Sequence, residues 1–254
     1  MTSDAHPHIA GQTDIGMLRA VNEDAFLADN NASLYAVADG MGGHGSGDIA
    51  AKLALETLHH CITADNVKQA LMNRDISDSQ ALALVSQCIA DVNQTIHNEN
   101  IKAGHQDGTG MGTTLVGLCK FGQSDKAVIF NVGDSRLYKH TGGILQQLTT
   151  DHTMYQDWED GGKLGPAPPR NIIMRALGLF AEVELDIDVM AYEPDASYLL
   201  CSDGLTGMVH DEVITNTLGA SNDPVKTNQM LIDAANDVGG NDNITVITLH
   251  PGSG

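Results

Sequence analysis

The sequence predicts an α+β fold in which antiparallel sheet layers are covered by helices. Two helical stretches come early, a long run of strand-like segments fills the middle, and two more helical stretches come late. The strands are not separated by regular crossover helices, which argues against a doubly wound parallel sheet. No internal repeat or low-complexity linker interrupts the 254 residues, a length that suits one large domain or two small ones.

Residues 33–39 (SLYAVAD) read as a buried strand ending in a glycine-rich turn over 40–47. Ile49, Leu53, Leu55 and Leu58 then recur near helical spacing over 49–60. A longer helix is expected from about 80 to 103, with Leu82, Leu84, Val85, Ile89, Val92 and Ile96 on its apolar side and Asp78 or Ser79 as its cap. Residues 113–121 and 127–132 are strand-like, and 136–140 and 144–148 flank Thr141-Gly142-Gly143, a hairpin signal. The stretch 154–170 holds the only tryptophan, Trp158, with Gly161-Gly162 and Pro166, Pro168 and Pro169, and is expected to be irregular. Strands resume at 183–190 and 198–202. Helices are expected at 211–218 and 224–238, before a last strand at 243–249.

A hydrophobic share of 42% is enough to bury a core, and with aromatics at 4% that core must be built from Ala, Val, Leu, Ile and Met. Thirteen Lys and Arg against 33 Asp and Glu give a net charge of −20. Such a field repels nucleic acid and anionic lipid, which are bound mainly through Lys and Arg, so neither is an expected partner. It would also repel a phosphorylated substrate unless the site were locally positive, and bound divalent cations would supply that change of sign. Cys61, Cys88, Cys119 and Cys201 are isolated among apolar neighbours and read as reduced core residues rather than ligands or disulfides. The N-terminus has no basic-then-apolar signal pattern and no apolar run approaches a membrane span, so the expected location is the cytoplasm.

Four acidic segments share one design, a strand end followed by Asp and a small or turn-forming residue. They are Asp39-Gly40, Asp134-Ser135, Asp203-Gly204 and Asp242-Asn243. Taken singly, an Asp-Gly pair is an ordinary turn. Repeated at the ends of strongly apolar strands, carboxylates suit hard, oxygen-loving cations such as Mg²⁺ or Mn²⁺, and a glycine carbonyl can add a neutral ligand. A fifth segment, Arg19 to Asp24, sets one cation beside two acids. It reads either as a surface turn with a local ion pair or as an arginine fork for phosphate oxygens, with Glu23 or Asp24 helping to hold the metals.

Eight ordered motifs carry a resemblance. They are R-x-x-N-E-D at 19–24, V-A-D-G-M-G-G-H at 37–44, G-M-G-T-T at 110–114, V-G-D-S-R at 132–136, L-T-x-D-H-T at 148–153, R-A-L-G at 175–178, C-S-D-G-L-T at 201–206 and G-N-D-N-I-T-V at 240–246. Together they resemble the metal-dependent protein phosphatases of the protein phosphatase 2C family in compact bacterial form, over nearly the whole chain. The resemblance implies an α-β-β-α sandwich of two antiparallel sheets flanked by helical pairs. One phosphatase domain would span 9–250 behind a flexible N-terminus of residues 1–8, with a flap over about 154–174. It implies two metals, Mn²⁺ or Mg²⁺, bridged by Asp39. The Gly40 carbonyl, Asp203 and Asp242 would complete the first site, Glu23 would lie near the second largely through water, and Asp134 would serve a weaker third. Arg19 would hold the substrate phosphate. Implied partners are phosphoserine and phosphothreonine proteins, with a cognate bacterial Ser/Thr kinase and its substrates, and the enzyme would act as a monomer.

The implied chemistry follows from charge. A phosphate monoester repels hydroxide, and paired cations lower the pKa of a shared water from about 15.7 towards 7. The leaving alkoxide also needs a proton. Many family members, notably the animal forms, place a His directly after the metal-binding Asp-Gly, where this chain has Met41. His44 and His152 are the candidate acids beside water held at the metals. A silent phosphopeptide-binding module is the rival reading, and the retained acids weigh against it. The cysteines form no C-x₅-R loop, no EF-hand spacing occurs, Gly42–Gly45 lacks the Lys of a P-loop, and His6, His8, His59 and His60 have no ligand spacing.

Overall fold

The computed structural model describes residues 8–43, 46–122 and 125–251. In chain order the elements are β1 (His8–Asp14), β2 (Asp24–Asp29), β3 (Leu34–Met41), α1 (Gly47–Thr63), α2 (Asp65–Leu71), α3 (Asp78–Lys102), β4 (Gly112–Thr113), β5 (Leu115–Lys120) and β6 (Lys126–Val132). They continue with β7 (Arg136–Thr141), β8 (Ile144–Gln147), α4 (Met154–Asp160), β9 (Asp186–Ala191), β10 (Ser197–Cys201), α5 (Asp203–Thr206), α6 (Asp211–Ala220), α7 (Pro224–Asp237) and β11 (Ile244–His250).

The strands form two antiparallel sheets. One has the order β1-β11-β10-β7-β8, and the other β2-β3-β5-β6-β9 with β4 beside β3. Alternation along each strand sorts the side chains between layers. Tyr35 and Val37 of β3, with Val116 and Leu118 of β5, face the other sheet, where they meet Leu137, Tyr198, Leu200, Ile247 and Leu249. Leu34, Ala36 and Ala38 face the opposite way, into a cluster with Ala51, Ala54 and Leu58 of α1 and Val85, Ile89 and Ile96 of α3. On the far side, Leu199, Cys201, Ile244 and Val246 pack against Ile214 and Leu218 of α6 and Leu231 and Ile232 of α7. Helices cover both outer faces. The result is the α-β-β-α sandwich.

The long helix begins one residue before the expected caps. Ser77 accepts from the Gln80 backbone N–H while the Gln80 side chain returns to the Ser77 N–H, a reciprocal box that outcompetes Asp78 or Ser79. The expected irregular stretch from 154 opens with the short helix α4, capped by Thr153. β1 and β2 are edge strands; β1 is sparse in apolar residues, and β2 holds one short run, Ala25–Ala28, that shows no alternation, so periodicity did not mark either. Residue 8 belongs to β1, while residues 1–7 of the expected flexible N-terminus lie outside the described residues.

One expectation is overturned. Cys61 on α1 and Cys88 on α3 form a disulfide, with Cα atoms 5.6 Å apart, and are not two reduced core thiols. Each cysteine sits on the side of its helix that packs against the other. Local sequence cannot see that meeting, because the two lie 27 residues apart. Cys119 and Cys201 are free and buried, as expected. Burial pushes both thiols up to about 12.

Candidate active site

Strand ends from both sheets converge on one recess. β3 closes on Asp39 and Gly40, and Asp39 lies directly opposite Asp24, the first residue of β2. β6 leads into Gly133-Asp134-Ser135 before β7, β10 runs into Asp203 at the start of α5, and Asp242-Asn243 precedes β11. The fold thus brings together acids as far apart in sequence as Asp24 and Asp242.

Small polar residues fix this meeting. Thr114 ties the two acids of one sheet: its backbone N–H donates to the Asp39 carbonyl at 2.8 Å, its hydroxyl accepts from the Asp39 N–H at 3.0 Å, and it bonds the Ser135 hydroxyl at 2.8 Å. Ser202 joins the sheets, its hydroxyl donating to Asp24 at 2.7 Å and accepting from the Thr245 N–H at 3.0 Å. Asn243 accepts from the Glu23 N–H at 2.8 Å and donates to the Ile15 and Val21 carbonyls at 3.0 and 3.1 Å. Two glycines permit the closest backbone approaches. A Cβ on Gly40 would overlap the Gly47 and Glu23 carbonyl oxygens, and one on Gly204 would overlap the carbonyl of Asn243.

Electrostatics set this recess apart from the rest of the molecule. Burial, then the carboxylates of Asp24, Asp203, Asp134 and Asp242, hold Asp39 well above the usual carboxylate range. Asp203 is raised by burial and by the Asp242 carboxylate, with Asp39, Arg19 and Arg136 acting in the opposite sense. Burial, then Asp203 and Asp151, push Asp134 to about 7, and burial pushes Asp24 to about 6. One oxygen of Asp134 and one of Asp24 are buried without a hydrogen-bond partner. Positive charge enters at the rim, where the Arg19 guanidinium donates to Asp242 at 2.6 Å with its side chain 48% exposed, and Arg136 acts on Asp134 and Asp203 from a distance. Arg136 is committed to Asp151, with donor–acceptor distances of 2.6, 2.8 and 3.1 Å, and to the Tyr138 hydroxyl.

The residues expected at the site fall as follows. Asp39, Asp134, Asp203 and Asp242 interact electrostatically within the recess. Glu23 lies at its edge, where its carboxylate accepts from the Gly47 N–H at 3.0 Å at the start of α1, and its backbone carbonyl accepts from the Gly40 N–H. Among the described residues no three His, Cys, Asp or Glu side chains form a closed ligand set. One Asp242 oxygen accepts from Arg19 and the other from the Asn243 N–H. The donors are nonetheless all hard oxygens, mutually repelling and partly unpartnered, and this chemistry fits divalent cations. His44 lies outside the described residues. His152 is buried and occupied on both sides, its Nδ1 accepting from the Gly133 N–H at 3.1 Å and its Nε2 facing Asp186 at 3.1 Å. It buttresses the Asp134 turn. The supporting roles of Thr114, Ser135, Ser202 and Asn243 were not assigned from sequence, although each sits inside one of the recurring motifs.

The fold and this recess define a hydrolase whose carboxylates gather cations to act on an anionic ester. The chain belongs to the protein phosphatase 2C family, whose description matches residues 19–234, and it is a metal-dependent protein serine/threonine phosphatase. It is 34% identical to the serine/threonine phosphatase stp of Listeria monocytogenes over 258 aligned positions, covering 96% of this chain and 95% of that one. Its structure is similar to PppA, described as a key regulatory component of the type VI secretion system in Pseudomonas aeruginosa, with a TM-score of 0.82, 33% identity and coverage of 96% and 97%. It is also similar to the catalytic domain of the phosphatase PstP in complex with two manganese ions, with a TM-score of 0.81, 33% identity and coverage of 96% and 98%. A two-metal site and phosphoprotein substrates follow from this membership. No helix among the described residues is long and apolar enough to cross a membrane.

Proposed function

We propose that Asp39 bridges two divalent cations, Mn²⁺ or Mg²⁺, that the Gly40 carbonyl with Asp203 and Asp242 completes the first site, and that Glu23 serves the second, largely through water. Asp134 serves a third, weaker site, and Arg19 holds the substrate phosphate. One observation carries this reading: carboxylates from both sheets crowd a single buried recess, where an oxygen of Asp134 and one of Asp24 have no hydrogen-bond partner, a repulsion that cations relieve. When bound, the metals make a water acidic enough to attack phosphorus at neutral pH.

The chain's own residues supply position and charge. The half-exposed fork of Arg19 exchanges its bond to Asp242 for the phosphoryl oxygens. Thr114, Ser202 and Asn243 keep the acids in place, so little reorganisation is needed on binding. With both nitrogens of His152 engaged, the proton for the leaving alkoxide comes from water or from His44.

Residues 9–250 act as one phosphatase domain, with 154–174 as a flap that selects substrates. The enzyme works as a monomer in the cytoplasm, opposing a cognate Ser/Thr kinase on that kinase's substrates. Purified protein supplied with Mn²⁺ is expected to release phosphate from a phosphothreonine peptide, to stop when a chelator is added, and to resume when Mn²⁺ is returned. Full turnover after complete metal removal would sink the reading. Calorimetry gives an independent readout, with Asp39→Asn abolishing tight Mn²⁺ binding.

A further inference from the structure

We propose that the loop between β1 and β2 is an apolar collar that grips the residues flanking the phosphorylated Ser or Thr, so that this phosphatase favours sites with apolar neighbours. The inference rests on the reading of Arg19 as the phosphate-holding residue.

The loop exposes its large apolar side chains while its backbone is held. Met17 is 66% exposed, Leu18 71% and Val21 48%. The Met17 N–H donates to the Gly240 carbonyl at 2.8 Å, the Gly16 N–H to the Asp14 carboxylate at 2.8 Å, and the Asn243 amide clamps the carbonyls of Ile15 and Val21. Arg19 adds its bond to Asp242. A loop anchored in this way has no folding use for Met17 and Leu18 in water, and contiguous exposed apolar side chains on a fixed backbone mark a contact surface.

Position supplies the occupant. Leu18 immediately precedes Arg19, and Met17 and Val21 lie two residues to either side of it. A phosphoresidue held by Arg19 places its own neighbours only about 3.5 Å further along the chain per residue, within reach of these side chains. A separate cavity of about 900 Å³ begins at Asp134 and Asp203 and is lined by Arg136, Asp151, Tyr155 and Arg170. None of the loop's apolar side chains lines it. At a net charge of −20 the surface repels phosphoproteins, and apolar contact provides attraction that salt does not screen.

The test compares Met17→Ser/Leu18→Ser with wild type, both loaded with Mn²⁺, on three substrates: a phosphothreonine peptide flanked by Leu and Val, the same peptide flanked by Ser and Gly, and p-nitrophenyl phosphate. The kcat/KM ratio of apolar peptide to small ester is expected to fall about tenfold or more, and the ratio for the Ser/Gly peptide to hold. Met17→Leu/Leu18→Met should preserve both ratios, with melting curves unchanged in either variant. An unchanged apolar ratio, or equal falls for both peptides, overturns the collar. So does a wild type that self-associates through this face, seen as a double variant shifting to monomer by sedimentation with its ratios intact. Arg19→Ala separates the two readings: undiminished kcat/KM on the small ester refutes the phosphate role, whereas the collar is judged only on the ratios.

Discussion

The two ends of strand β11 solve the problem of buried polar groups in opposite ways. At its start, Asp242 joins Asp39, Asp134 and Asp203 in a recess where like charges face one another and some oxygens have no partner. At its finish, His250 is buried with both ring nitrogens bonded, Nδ1 to the Ser197 hydroxyl at 2.8 Å and Nε2 to the Thr227 hydroxyl at 3.0 Å. One end is frustrated and the other is satisfied. A satisfied buried network holds a fold together, whereas an unsatisfied one stores binding capacity for something the chain must recruit. The difference predicts that changes at the acid end cost activity and changes at the histidine end cost stability.

The largest expected effect is at the acid end. Asp39→Asn should lower kcat on a phosphothreonine peptide about a thousandfold while circular dichroism stays native, and a rate within tenfold of wild type would remove Asp39 from its bridging role. Arg19→Ala should follow with a loss of about a hundredfold in kcat/KM, shared by peptide and small ester alike. Its urea midpoint should stay close to wild type, because the ion pair is exposed.

At the histidine end the order reverses. His250→Gln should cost about 1–3 kcal/mol of unfolding free energy at pH 8 in urea titrations, with kcat nearly unchanged. If that variant lost turnover at native stability, the division between the two ends would fail. The smallest effect is on pH dependence. Burial, then His140, lowers the His250 pKa below its ordinary 6.5; His8 on β1 lowers it further, and Asp223 at the start of α7 opposes them. A lowered imidazole pKa means that the unfolded chain binds the extra proton. The stability His250 contributes is therefore present above pH 6.5 and lost as pH falls towards the folded value. Wild type should lose stability over that interval more steeply than His250→Gln, and parallel curves would show that His250 does not carry the slope.

The same contrast explains what could be read in advance. Asp39, Asp134 and Asp203 were legible because each sits at the end of a strongly apolar strand and precedes a small or turn-forming residue; Asp242, expected at a strand end too, instead lies in the turn between α7 and β11, just before its strand. The sandwich core was legible for the same reason, in SLYAVAD and in the strand that ends at Asp203. The His250 network was not, since Ser197 and Thr227 reach it from other elements and neither stands out among its neighbours. The Cys61–Cys88 link was hidden by its 27-residue separation. β1 and β2 were missed because edge strands lean on backbone pairing more than on side-chain periodicity. His152 illustrates a different limit: the sequence offered it as an acid, and only packing revealed a ring already engaged on both sides.

Asn243 has a mechanical consequence. Its amide grips Ile15, Val21 and Glu23 while its own backbone continues into Asp242. The arginine loop, the first turn of the metal-facing segment and the last acid are therefore fastened to a single rivet. Amide hydrogens across these three stretches should exchange with solvent at a common rate, as one opening unit, and Asn243→Ala should uncouple them into separate ones.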